Sequence, residues 1–413
     1  MISAGRNRFF RDFREAPHRP LFSAAILCAM LTVAWWPLGA RLGLPSPGLE
    51  PLIVWHAHEL IFGFAGAAIG GYLLTALPGW TGQPPVRGNV LKALLMFWVS
   101  ERLAMALASY VPNTLLVTLN AGYFLLLAGI IGHQPLSTGV YRKLGFPVAV
   151  VAFAMGEVLF LRATLIGSPW VSLSMVQPLL IGLIVLMVSI GTRAIPAFTQ
   201  NWLALNRCGT RASQSSAMSV VSAQALLVIA IVTKLIGQHD IAYVAMIGAG
   251  LALLWNMRGW QSLSALTNPL LAALHLAFFW LPFGLMVVGV SRLAPAIYPM
   301  ADALQAITIG GMSGLIMAIS GRAAAHTKSG DMRANPGFTV GFLLVWIATW
   351  IRLAAPIFPG QSLEVLAAAI WPAAWIAFAL GFLPALTGPL RRPVLSGRRH
   401  WELAEISKAE RMR

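Results

Sequence analysis

The chain reads as an all-α, polytopic transmembrane helical bundle of about twelve spans with both termini in the cytoplasm. Three observations lead there. Of its 413 residues, 58% are hydrophobic and only 10% charged, against roughly 25% charged in soluble domains. Mean hydropathy is +0.75, which leaves lipid as the solvent. The apolar runs are continuous over about twenty residues, the length that crosses ~30 Å of hydrocarbon. Barrel strands would alternate polar and apolar residues instead, and only helices and closed barrels satisfy the backbone in lipid.

The spans fall at 21–40, 54–78, 90–109, 112–131, 146–166, 172–191, 214–236, 240–256, 269–291, 303–321, 337–356 and 364–386. The organisation is an N-terminal cytoplasmic segment (1–20), the bundle (21–388) and a basic cytoplasmic tail (389–413). The first run is not a cleavable signal, because further spans follow it rather than a cleavage site. Orientation comes from basic residues. With the N-terminus inside, all but six of the 29 Lys and Arg residues fall in inner segments, as the positive-inside rule requires. The net charge of +16 is therefore topological, and no nucleic-acid partner is expected. Two cysteines, Cys28 in a span and Cys208 in a loop, predict neither a disulfide framework nor a cysteine metal cluster.

The six exceptions are Arg41, Arg102, Arg162, Lys234, Arg292 and Arg352, each near the outer end of an odd-numbered span. One reading is cations meeting the negative ends of helix dipoles. The other is an electropositive vestibule holding an anionic group, with Arg102 and Arg162 deepest. Small residues at spacing four in span two (Gly63, Ala67, Gly71) and span ten (Gly310, Gly314, Ala318) allow close helix approach. They mark both spans as inner helices.

Ionisable groups at membrane depth are functional candidates by default. Span two opens Trp55-His56-Ala57-His58-Glu59. His56 and Glu59, three apart, share a face, while His58 points elsewhere. The segment reads either as an interfacial cap or as a metal or cofactor site; imidazole and carboxylate suit haem iron, copper or zinc. His275 in span nine is a hydrogen-bonded core histidine or a ligand. Arg193 and Pro196 read as the exit of span six, with Arg193 alternatively clamping an anion. Glu101, Arg102 and Glu157 are interhelical ion pairs or parts of a site. His326 lies at the inner end of span ten. His18, His133, His239 and His400 read as loop or tail residues.

The segment WHAHELIFGFAGAAIGGYLLTALPGWTGQPP (55–85) resembles the signature of the NnrS family. GTRAIPAFTQNWL (191–203), NPLLAALHLAFFW (268–280) and ALQAITIGGMSGLIMAISGRAAAHTKSG (303–330) resemble its later motifs, in order along nearly the whole chain. The resemblance implies a bacterial inner-membrane protein that binds haem and copper in the nitric oxide and nitrosative-stress response and in denitrification. Nitric oxide or a metal would be its small ligand. Family positions carry over as His56, His58, Glu59, Arg193, His275 and His326. His56, His58, His275 and His326 are the metal candidates; Arg102, Arg162 and Arg193 would steady haem propionates. Three departures mark a diverged member. Gln305 stands where the family has histidine. Leu161 and Arg162 occupy the region where its fifth span offers another. HTKSG replaces HTGR, one residue short of the usual spacing from Arg322. A carrier or chaperone for a metal or haem, and a cofactor-free subunit or regulator, are the alternative functions.

Overall fold

The computed structural model describes residues 9–36, 38–206, 215–325, 332–388, 390 and 394–395. Cys208 and His326 lie outside them. Among the described residues there is no strand. Twelve long helices follow the order of the predicted spans: α1 His18–Trp35, α2 Leu52–Thr81, α3 Asn89–Ala106, α4 Asn113–Ser137, α5 Gly145–Leu165, α6 Pro169–Leu205. There follow α7 Ala217–Leu235, α8 His239–Met257, α9 Pro269–Leu293, α10 Met300–Ala324, α11 Pro336–Ala354 and α12 Leu363–Phe382.

Eleven of these are long and apolar enough to cross a membrane. The exception is α3. Its 18 residues match the length of a span, but Lys92, Glu101 and Arg102 interrupt its apolar face.

Two helices of the interior are α2 and α10, as the small-residue spacing predicts, and α1 and α9 are buried to the same share as α10. In α2, 83% of the apolar window is buried, more than in any other candidate span. Neighbouring side chains lie over its glycines: a Cβ at Gly66 would meet Phe124 at 2.8 Å, and one at Gly71 would meet Phe22 at 2.9 Å. On α10 a Cβ at Gly314 would meet that of Ala277 at 2.9 Å. Helix contact in lipid gains little from hydrophobicity, so this close fit supplies dispersion energy instead.

Helices α2 and α10 each contain a π-helical segment, Glu59–Phe64 in α2 and Ala306–Ser313 in α10. Each such turn leaves carbonyls that need other donors. In and just beyond the α2 segment, Trp98 Nε1 donates to the Gly63 carbonyl (3.0 Å), Tyr123 Oη to that of Gly66 (3.0 Å), and Cys28 Sγ to that of Glu59 (3.6 Å).

The predicted exit of α6 at Arg193 and Pro196 is not an exit. The helix runs for 37 residues to Leu205. Pro196 has no N–H for the Thr192 carbonyl one turn back; Ser215 Oγ donates to that carbonyl instead, so the helix continues. His18 is likewise no loop residue. It opens α1 and is buried. Beside it Arg19 donates to the carbonyls of Asp12 (2.6 Å) and Gly388 (2.8 Å), tying the N-terminal segment to the chain beyond α12.

Candidate functional site

Four helices bring a charged cluster together in the interior. Its frame is the π turn of α2. His58 is the last residue before that turn and Glu59 the first within it. The sequence pairs Glu59 with His56 on one face; in the fold it is His58 that meets Glu59, with Nδ1 3.3 Å from Oε1. The neighbouring side chains of this α-helical stretch turn toward each other, which spacing on a helix face does not anticipate. The His56 ring instead packs on Trp36, 4.5 Å between centroids.

His58 is fully buried, between the rings of Phe62 and Phe160. Its Nε2 lies 3.2 Å from Glu157 Oε1 on α5. Neither that nitrogen nor either Glu157 oxygen is in hydrogen-bond geometry with any group among the described residues. Arg102 on α3 closes the cluster. Its Nη1 donates to Glu59 Oε1 at 2.6 Å and its Nη2 to Asn120 Oδ1 on α4 at 3.1 Å. Glu101 Oε1 lies 3.0 Å, and Glu157 Oε1 4.0 Å, from the same Nη2. Asn120 is oriented by its own Nδ2, which donates to the Leu116 carbonyl. Gly63 makes room: a Cβ there would sit 2.7 Å from Arg102 Nη1.

Three carboxylates thus face one guanidinium and one imidazole, all withdrawn from water. Charges taken into a low-dielectric interior cost several kcal/mol each unless paired, which makes this the densest functional candidate in the molecule.

The other predicted residues lie apart. His275 joins a different set of elements. Its Nε2 is 2.8 Å from Thr199 Oγ1 on α6, its Nδ1 is 2.9 Å from Ser262 Oγ, and Trp260 meets its ring edge-on. Both ring nitrogens are engaged. Arg162 and Arg193 are exposed on α5 and α6. Of the remaining exceptional cations, Arg352 pairs with Asp302, Lys234 donates to Tyr243 Oη at 3.0 Å, and Arg41 and Arg292 are exposed. The six do not converge, and Arg102 alone of them enters the cluster. Gln305 Oε1 accepts from Thr308 Oγ1. His326 falls outside the described residues.

Sequence reasoning singled out His58, Glu59, Glu101, Arg102 and Glu157 but missed Asn120, Trp98 and Tyr123. The signal for Asn120 was present: a lone amide in an otherwise apolar span.

Fold and site together define a polytopic helical membrane protein built around a buried His–Glu–Arg centre. The sequence model of the NnrS protein family matches residues 12–390, and the chain belongs to that family. No curated protein matches the chain.

Proposed function

We propose that this is a haem-binding inner-membrane protein of the bacterial nitric oxide and nitrosative-stress response, with His56 and His58 as its imidazole donors. Family membership supports the process. The observation that carries the site is His58 Nε2, a buried imidazole nitrogen with no hydrogen bond among the described residues. Glu157 Oε1 stands 3.2 Å from it; with the ring proton on Nδ1, toward Glu59, Nε2 keeps a lone pair that iron would take in place of that contact. His275, with both nitrogens hydrogen-bonded, is a packing residue in this reading.

The fit differs between the two cofactors that the resemblance implies. For haem the donor chemistry at His58 is suitable, and Glu59 with Arg102 fixes the imidazole from its other side, as outer partners of ligating histidines do. Phe62 and Phe160 enclose the ring, so a macrocycle would enter by moving them. Copper does not fit: among the described residues no three His, Cys, Asp or Glu side chains converge to hold a metal ion. When bound, haem supplies an iron coordination position for nitric oxide, a neutral and lipid-soluble molecule that needs no polar path.

The test is the visible spectrum and metal content of the purified protein. Haem bands that shift on adding nitric oxide, and disappear in His58→Ala while persisting in His275→Ala, are expected. A colourless protein, or copper bound in equal amount to the chain, overturns the proposal.

A further inference from the structure

A group of cations gathers where α2 ends and α5 begins. The ring of Trp80, next to the last residue of α2, stacks on that of Phe146 in the first turn of α5, with 4.7 Å between centroids and 12° between planes. Lys143, just ahead of α5, lays its Nζ against both rings, 4.6 Å from the Trp80 centroid and 5.8 Å from that of Phe146. Arg142 beside it and Arg193 on α6 stand close enough to repel its ammonium. Both arginines are exposed. The frame around them is fixed: Gln134 at the end of α4 accepts from Thr81 Oγ1 at 3.1 Å and donates to the Pro84 carbonyl at 3.2 Å.

No acid offsets this grouping. None of the ion pairs among the described residues includes Arg142, Lys143 or Arg193. Helix α5 has no acid in its first turn, although that end of a helix carries a partial positive charge. Arg142 and Lys143 thus stand at the pole that disfavours cations. The aromatic platform holds the Lys143 ammonium in place but brings no full negative charge. Three like charges and a helix dipole arranged in this way call for an anion.

Depth identifies the anion. Trp80, Lys143 and Phe146 lie at the ends of spans, the level of the lipid headgroups, where tryptophan collects in membrane proteins. We infer that Arg142, Lys143 and Arg193 form a headgroup site for an anionic phospholipid, whose phosphate neutralises the three cations. Basic pockets between helix ends at the membrane surface suit such headgroups, and guanidinium groups suit phosphate oxygens. A zwitterionic lipid carries its own cation and satisfies the group less well. The site shares no residue with the His58 cluster, so it does not depend on haem there.

The experiment uses the purified, delipidated full chain in detergent, with bound lipid read by native mass spectrometry. The probes are phosphatidylglycerol and phosphatidylcholine with identical acyl chains, and glycerol phosphate as the free headgroup chemistry. Phosphatidylglycerol should bind at least about tenfold more tightly than phosphatidylcholine, and the preference should shrink as salt is raised. Replacing all three cations, by Arg142→Gln, Lys143→Gln and Arg193→Gln together, should bring phosphatidylglycerol to the level of phosphatidylcholine and leave phosphatidylcholine unchanged. The charge-conserving pair Arg142→Lys and Arg193→Lys should keep the preference, as should Arg292→Gln, which removes an exposed cation from α9. The comparison of the two lipids on the unaltered chain holds even if a variant does not fold. Equal binding of the two lipids, a preference that survives loss of all three cations, or displacement of phosphatidylglycerol by an equal concentration of glycerol phosphate or of haemin overturns the inference. A colourless protein that still prefers phosphatidylglycerol would sink the haem reading alone.

Discussion

His58 and Gln305 occupy equivalent places in α2 and α10: each is the last residue before a π-helical segment, Glu59–Phe64 after His58 and Ala306–Ser313 after Gln305. The chain has a histidine on one and an amide on the other. The family resemblance puts histidine at both. If the second π turn once presented an imidazole as the first does, Gln305→His restores a donor that the amide does not supply. The expected outcome is a higher haem-to-protein ratio in the purified variant, read from the absorption of the bound pigment. An unchanged ratio would mean that position 305 plays no part in binding.

Arg102 should be worth more as a partner than as a residue. Arg102→Met leaves Glu59 and Glu101 buried without their cation, and breaking a buried pair from one side costs about 3–5 kcal/mol. A large drop in the detergent melting midpoint is expected. Adding Glu59→Gln to the same chain removes one stranded charge and should recover part of the loss. A double variant no more stable than the single one would show that the pair is not coupled.

Gly63→Ala tests the cradle. The added methyl would lie 2.7 Å from Arg102 Nη1 and 3.0 Å from Cys28 Sγ. Overpacking of this kind costs about 1–3 kcal/mol, expected as a lower melting midpoint. Gly129→Ala, where a Cβ meets nothing within 4 Å, is the control and should leave the midpoint unchanged or raise it, alanine being the better helix former.

His275→Ala should behave as a core substitution. It removes two hydrogen bonds, to Thr199 and Ser262. Thr199 Oγ1 keeps the Ile195 carbonyl as an acceptor while Ser262 Oγ loses its partner, so a loss of about 1–3 kcal/mol is expected. Thermal unfolding in detergent measures it, alongside a haem content equal to that of the unaltered chain.

Topology is open to direct test. If α3 crosses the membrane despite its charges, twelve crossings place both termini on one side, and the distribution of Lys and Arg places that side in the cytoplasm. Reporter fusions active only in the cytoplasm should therefore work at both ends. Activity at one end alone would mean eleven crossings, with α3 lying against the bundle.

Much of the fold was legible because hydropathy alone determines where helices cross lipid. The boundaries of α8, α9 and α11 fall within a few residues of the predicted spans. The length of α6 was not legible. Proline ends a helix unless something else takes up the carbonyl it strands, and the hydroxyl that does so, on Ser215, is 23 residues from Thr192. The site was half legible. Charges at membrane depth identified Glu59, Glu101, Arg102 and Glu157. Which of the two neighbouring histidines joined them depended on where α5 packs, since Glu157 and Phe160 come from that helix, and no periodicity in the sequence announces that contact.

Thirty-seven residues of α6 at 1.5 Å each make a rod of about 55 Å, while the hydrocarbon layer is ~30 Å thick. Even at the steepest tilt common among membrane helices, about 40°, some 10 Å of it stands clear of the oily layer. The surplus length is braced, not free: Phe198, Thr199 and Leu203 of its last turns stay buried and Thr199 meets His275 on α9, so neighbouring helices supply the support that the backbone column lacks where Pro178 and Pro196 interrupt it.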